Sequence, residues 1–204
     1  MDVDLFDYEL PSDFIAQTPI NPRDTARLLD LTNGGLKDRF IQELPFILKP
    51  GDLLVANNTR VIPTKLQGKC ASKRITVNLH KKVSPSIWFA FARPAKRITE
   101  GDLIMFDDSV VAKVLERNRG ELLLEFQLSD QDLMGFLEQR GGMPLPPYIK
   151  RDDPSSNAAD LKDYQSIFAQ HKGAVAAPTA SLHFTDRLVA SLKKNNIDIA
   201  YLTL

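Results

Sequence analysis

The sequence predicts an α/β main domain, left incomplete, that carries an inserted antiparallel all-β barrel. Three observations predict it. Between about Pro63 and Leu128, short apolar runs are separated only by turn residues, with no helical period among them. On either side, capping residues and helical spacing alternate with strand-like runs. The last run, Ile197 to Leu204, stops in hydrophobic sequence with no polar tail and no evident pairing partner, so the sheet is expected to lack strands. The expected division is 1–63 together with 143–204 as the main domain, and 64–142 as the barrel.

From the N-terminus, Ser12 is placed to cap a short helical turn through Phe14, Ile15 and Ala16. Ala26 to Leu31 reads as a strand, and Asn33-Gly34-Gly35 as a hairpin turn into Leu36 to Phe40. Leu44 to Leu48 is apolar and closes at Pro50-Gly51. Leu53 to Ala56 reads as a short buried strand that runs into a polar loop, Asn57 to Arg60. The barrel strands are expected at Ile75–Leu79, Ile87–Ala92, Leu103–Phe106, Val110–Leu115 and Leu122–Phe126. Ser129 caps a helix from Asp130 to Gln139 that ends at Gly141-Gly142. Pro144 to Arg151 is a proline-stiffened extended segment, and Asp152 to Lys162 a polar, mobile loop. Thr185 caps a helix from Asp186 to Lys194, with Leu188, Val189 and Leu192 on one face.

Composition narrows the functional classes. With 204 residues, 43% of them hydrophobic, the chain can bury one large core or two small ones. No apolar run approaches a membrane span, and the acidic start is no signal peptide. A single cysteine, Cys70, leaves no internal disulfide and suits a reducing cytoplasm. His80, His171 and His183 stand at no ligand-like spacing with that thiol, so no metal is expected. The 26 basic and 26 acidic residues cancel, yet they are segregated. Leu53 to Thr99 holds no acid and ten bases: Arg60, Lys65, Lys69, Lys73, Arg74, Lys81, Lys82, Arg93, Lys96 and Arg97. That is the footprint of a polyanion partner, with a solvated basic face as the plain alternative. Trp88, Phe89 and Phe91 add aromatic faces. In a strand, Trp88 and Ala90 share one side and Phe89 and Phe91 the other, so at least one pair belongs to the core.

Gly173 to Thr185 concentrates small and turn-forming residues ahead of a lone imidazole, His183. Such a strip lets a ligand approach the backbone, and the imidazole can move protons near neutral pH. A tight turn with a structural histidine fits equally. Arg23, Asp24 and Arg27 form a second cluster. As a ligand site the arginines would grip phosphate or carboxylate and Asp24 would hold a ribose or a base edge, and as an ion pair the cluster would pin the N-terminal segment. Asn57, Asn58, Thr59 and Arg60 follow a buried strand, a usual ligand position in α/β sheets, although Asx turns explain the asparagines too.

In order along the chain, these segments closely resemble the S-adenosylmethionine:tRNA ribosyltransferase-isomerase family of queuosine biosynthesis. The matching stretches are Phe6 to Pro11, Pro22 to Leu29, Gly51 to Pro63, Trp88 to Pro94, Pro144 to Arg151, Tyr164-Gln165 and Gly173 to Thr185. Two departures stand out. Members of the family usually carry glycine where Ser181 stands, and they continue past the last strand with histidine-, glycine- and glutamate-bearing motifs that this chain lacks.

The resemblance implies that the ribosyl part of S-adenosylmethionine, a co-substrate, goes to the aminomethyl group of 7-aminomethyl-7-deazaguanine. That base sits at the wobble position of a tRNA with a GUN anticodon; epoxyqueuosine forms and adenine and methionine leave. It implies a monomeric cytoplasmic enzyme that needs no metal or membrane. A non-catalytic tRNA-binding remnant of such an enzyme is the alternative. On this reading His183 is the acid/base group, while Arg23, Asp24, Asn58, Arg60, Pro178 and Thr179 contact the cofactor. Arg93, Lys81, Lys82, Tyr148, Lys150 and Arg151 meet RNA, where unpaired bases splay onto aromatics. Tyr148 to Arg151 reads equally as a rigid linker returning from the barrel.

Overall fold

The computed structural model describes residues 2–96, 98–151 and 157–204. β1 (Arg27–Asp30) pairs antiparallel with β2 (Lys37–Phe40), and the turn between them is locked by an acid. The buried Asp30 carboxylate accepts from the Thr32 hydroxyl at 2.6 Å and the Thr32 N–H at 2.8 Å, which holds its pKa below the ordinary value. The expected Ser12 cap is not made. Ser12 is itself the first residue of a 3-10 turn, Ser12–Phe14, and its hydroxyl donates to Asp13.

A short helix, α1 (Leu44–Ile47), leads to β3 (Leu53–Asn57) and then directly to β4 (Thr59–Val61). Of the expected polar loop at Asn57 to Arg60, only Asn58 is therefore outside a strand. Local sequence cannot reveal this, because the pairing partner of β4 lies more than a hundred residues downstream.

The acid-free segment then folds into β5 (Lys65–Cys70), β6 (Lys73–Lys82) and β7 (Ile87–Arg93). These close with β8 (Leu103–Met105), β9 (Val111–Asn118) and β10 (Glu121–Phe126) into a barrel of order β10-β7-β6-β5-β8-β9. All barrel pairs are antiparallel. The two-residue period sends Ile75, Val77, Leu79, Trp88, Ala90, Leu122 and Leu124 inward, all buried. Phe89 and Phe91 take the outer face. β5 went unread in the sequence because Lys-Leu-Gln-Gly-Lys-Cys alternates but carries a single large apolar residue.

α2 (Asp130–Arg140) is capped by Ser129, whose hydroxyl accepts from the Asp132 N–H, and it buries Leu133 and Leu137 against the barrel core. The helix stops at Gly141 for a steric reason. A Cβ there would lie 1.8 Å from the Pro63 carbonyl oxygen and 2.5 Å from that of Leu137. Only glycine lets the helix end pass the strand entering the barrel, where Gly142 and Lys65 exchange backbone hydrogen bonds of 2.8 and 3.0 Å.

The segment expected as a mobile loop instead contains α3 (Asn157–Asp163); residues 152–156 of that expectation, and Arg97 of the basic set, lie outside the described residues. β11 (His171–Ala174) runs parallel to β4. Thr185 caps α4 (Asp186–Lys194) by accepting from the Leu188 N–H at 3.2 Å. β12 (Asp198–Leu202) runs parallel to β3, with Asp198 opposite Leu53. The last apolar run thus has a pairing partner after all. Leu188, Leu192, Ile197 and Ile41 form the core beneath that sheet, and the whole is an α/β fold with an inserted antiparallel barrel.

Candidate functional site

Two acids organise the α/β part around the small-residue segment. Asp24 is 1% exposed; it accepts from the Thr185 hydroxyl at 2.6 Å and from the Arg187 guanidinium through both oxygens. The Arg187 hydrogen bonds hold its pKa below the ordinary value, with burial opposing them. Asp160 is the second acid, missed in the sequence because it sits in the segment read as a loop. It takes a bidentate contact from Arg151 at 2.8 to 3.0 Å, and that pairing raises the arginine's own pKa.

Arg23, the neighbour of Asp24, is also tied inward. Its guanidinium donates to the carbonyls of Gln165 (2.9 Å) and Lys162 (3.0 Å) and to Asp163 (3.1 Å). Arg23 lies in a 3-10 turn, Arg23–Thr25, whereas Arg27 sits on β1 and pairs with Asp38 on the surface. The two arginines therefore do not converge. Of the two readings of this cluster, the pin on the N-terminal segment is the one these contacts describe. Asn58 is likewise engaged: its side-chain oxygen accepts from the Thr203 hydroxyl at 2.6 Å.

The residues between these anchors line three openings. The largest, about 450 Å³, lies between barrel and α/β part and is bordered by Arg60, Pro63, Met134, Glu138, Gln165 and Lys172. Gln165 acts there as a strand mimic. Its side-chain amide donates to the Val61 carbonyl at 2.8 Å and accepts from the Val61 N–H at 3.1 Å. A second, of about 210 Å³, is lined by Gln17, Tyr148, Arg151, Tyr164, Thr179 and Leu182, among others. Gln17 stitches it together, donating to the Tyr148 carbonyl at 3.2 Å and accepting from the Lys150 N–H at 2.7 Å. A third, of about 370 Å³, is walled by Arg23, Phe184 and Thr185.

His183 closes the 3-10 turn Thr179–His183 that follows Pro178. It is solvent-exposed on the ridge between two openings: Leu182 lines the second and Phe184 the third, and His183 lines neither. Ser181, where the family usually has glycine, is not among the positive-φ residues, so its backbone accepts a side chain. Thr179 and Tyr148 thus come together, and Arg60 faces the larger opening.

The barrel residues are elsewhere. Arg93 is exposed at the end of β7, Lys81 stands 5.9 Å over the Phe89 ring, and Lys82 pairs with Asp130 at 2.6 Å. Among the described residues no three His, Cys, Asp or Glu side chains cluster as a metal site, and no helix is long and apolar enough to cross a membrane. Gln17, Asp160 and Arg187 were not singled out from sequence, and Gln165 only as part of the Tyr164-Gln165 stretch that matches the family. Gln17, Gln165 and Arg187 act through partners more than a hundred residues away, which spacing does not display, whereas Asp160 meets Arg151 only nine residues before it.

Comparison with known proteins shows the family of this chain. The profile of the family described as "Queuosine biosynthesis protein" matches residues 3–204. An S-adenosylmethionine:tRNA ribosyltransferase-isomerase of Rhodospirillum rubrum is 47% identical over 205 residues, covering 100% of this chain and 59% of its own. One from Methylocella silvestris is 48% identical over 219 residues, covering 100% and 60%. The chain thus spans about three-fifths of the length of these relatives. A solved structure of an S-adenosylmethionine tRNA ribosyltransferase from Thermotoga maritima is 29% identical, with 96% of this chain and 56% of that one covered and a TM-score of 0.36.

Proposed function

The chain belongs to the queuosine biosynthesis protein family, and from that premise we propose that it acts in ribosyl transfer from S-adenosylmethionine to tRNA. The observation that carries this reading is the match along its whole length, at 47% identity, to relatives named for that reaction. In detail, the acceptor is the aminomethyl group of 7-aminomethyl-7-deazaguanine at the wobble position of a GUN-anticodon tRNA. Epoxyqueuosine forms, adenine and methionine leave, and the chain works as a cytoplasmic monomer.

The residues divide the work. The opening around Gln17, Tyr148 and Thr179 receives one end of the co-substrate; at about 210 Å³ it is smaller than the ~300–1,000 Å³ that encloses a drug-sized ligand. Arg60 offers a cation in the larger opening. The sulfonium acidifies the hydrogens on its adjacent ribose carbon, so a modest base suffices, and His183 on the neighbouring ridge takes that proton. Asp24 and Arg23 position the ridge by fixing Thr185 and the Leu182 carbonyl rather than by meeting substrate. The acid-free barrel face supplies the attraction for the tRNA backbone.

The test incubates tRNA bearing the precursor base with S-adenosylmethionine and follows free adenine by chromatography. Adenine release supports catalysis, and tRNA binding without release supports the binding remnant. In a full-length relative, replacing the histidine equivalent to His183 with glutamine is expected to slow release about 100-fold or more. Unchanged turnover there removes the acid/base role.

A further inference from the structure

The outer face of the barrel carries a feature that the reaction above does not use. His80 on β6 inserts between two aromatic residues of β7, with ring centroids 4.5 Å from Phe91 at 17° and 6.3 Å from Phe89 at 23°. Three near-parallel rings therefore line up along the surface. Lys81 covers the Phe89 end at 5.9 Å, and Arg93, two residues beyond Phe91 on the same side of β7, flanks the other. Phe91 is 51% exposed. Large rings on a sheet's outer surface normally shed water onto a neighbour, and among the described residues no further ring covers the Phe91 end of this stack.

We propose that Phe91, backed by His80, is a stacking seat for one unpaired base of the tRNA, with the adjoining phosphates running over β6 and β5. Every base offers a π-face, and an aromatic platform within a cationic surface is how unpaired strands are held. The direction follows from charge. On the β5–β6 side the outer face carries Lys65, Lys69 and Arg74, whereas on the β10 side it carries Glu121 and Glu125. Glu121, opposite Phe91, stands 2.9 Å from the His80 ring nitrogen and repels phosphate from that side. Asn78 is opposite Phe91 on β6, and its side-chain oxygen is buried without a hydrogen-bond partner among the described residues. Turned outward, it accepts from a base amino group beside the ring. This inference rests on the chain binding tRNA, and its test separates the two claims.

The test measures binding of the whole chain to a fluorescent RNA hairpin with an unpaired loop, and to a fully paired duplex of equal length. Phe91→Ala is expected to weaken hairpin binding about tenfold or more, to leave duplex binding nearly unchanged, and to leave the salt slope as it was, since no charge is removed. Phe91→Trp is expected to keep or strengthen binding, and Phe91→Leu, which retains apolar bulk without a π-face, to resemble Phe91→Ala; retained melting temperatures verify the folds. If the parent chain binds the hairpin and Phe91→Ala binds it equally well, the seat is refuted while tRNA binding stands. If the parent binds no RNA at all, both fall.

Discussion

Replacing Gly141 with alanine should loosen the junction on which the site is mounted. The added Cβ would stand 1.8 Å from the Pro63 carbonyl oxygen, where ordinary contact begins near 3.4 Å, so something must move by more than 1 Å. Both obstructing atoms are backbone, so no side-chain rotation relieves the clash. Moving the Pro63 strand outward strains or breaks the paired Gly142–Lys65 hydrogen bonds, worth about 1 kcal/mol each. Overpacking adds about 1–3 kcal/mol, for a total of about 3–5 kcal/mol. For a chain of this size that lowers Tm by roughly 6–20 °C. Urea denaturation read by the fluorescence of Trp88, buried in the barrel, measures it. Gly135→Ala is the control: it lies within α2 with nothing inside 4 Å of its added Cβ, and it is expected to stabilise by about 0.5–1 kcal/mol. A Gly141→Ala variant within about 0.5 kcal/mol of the parent would refute the steric argument.

The Asp24 carboxylate has a lowered pKa when folded, so its contribution is complete above about pH 4 and fades as pH falls further. Asp24→Asn should melt below the parent at pH 7, and the gap should shrink on acidification below about pH 4; a gap that stays constant as the pH falls would contradict this. Charge reversal at Lys81 and Lys82 should reduce the slope of log affinity for tRNA against log salt by roughly 0.7–0.9 for each phosphate that is no longer neutralised. An affinity indifferent to salt in the parent chain would rule out the basic face. The Lys172–Glu138 pair spans the largest opening, but both side chains are about half exposed, at 52% and 47%. Glu138→Ala is therefore expected to shift stability by less than about 1 kcal/mol, and a larger loss in chemical denaturation would give the pair a role beyond the surface.

What was legible in the sequence is what local periodicity encodes. Five of the barrel strands, the Ser129 and Thr185 caps and the split of Trp88 from Phe89 and Phe91 onto opposite faces all follow from two-residue alternation or from one side chain meeting a nearby N–H, whereas which face is the core came only from the structure. What stayed hidden depends on distant partners. Thr59 and Arg60 become a strand only because His171 and Lys172 arrive beside them. Asp160 stayed hidden for another reason: its segment reads as a polar loop, and only the helix found there shows that it meets Arg151, nine residues away. The candidate site divides the same way. The small-residue strip and Tyr148 were visible as composition, whereas Gln17 and Gln165 matter through bonds spanning more than a hundred residues.

Those distant pairings set an order of assembly. β3 and β4 precede the barrel and pair with β12 and β11, which follow it, and Asn58 meets Thr203 across 145 residues. Closing so long a loop through a disordered chain is entropically costly, and a preformed barrel shortens it by bringing residues 65 and 142 into contact. The barrel is thus a clasp that must shut before the parallel pairs can register. In pulsed hydrogen exchange during refolding, β6 and β7 amides should gain protection ahead of those of β3; simultaneous protection would mean that the two halves form as one unit.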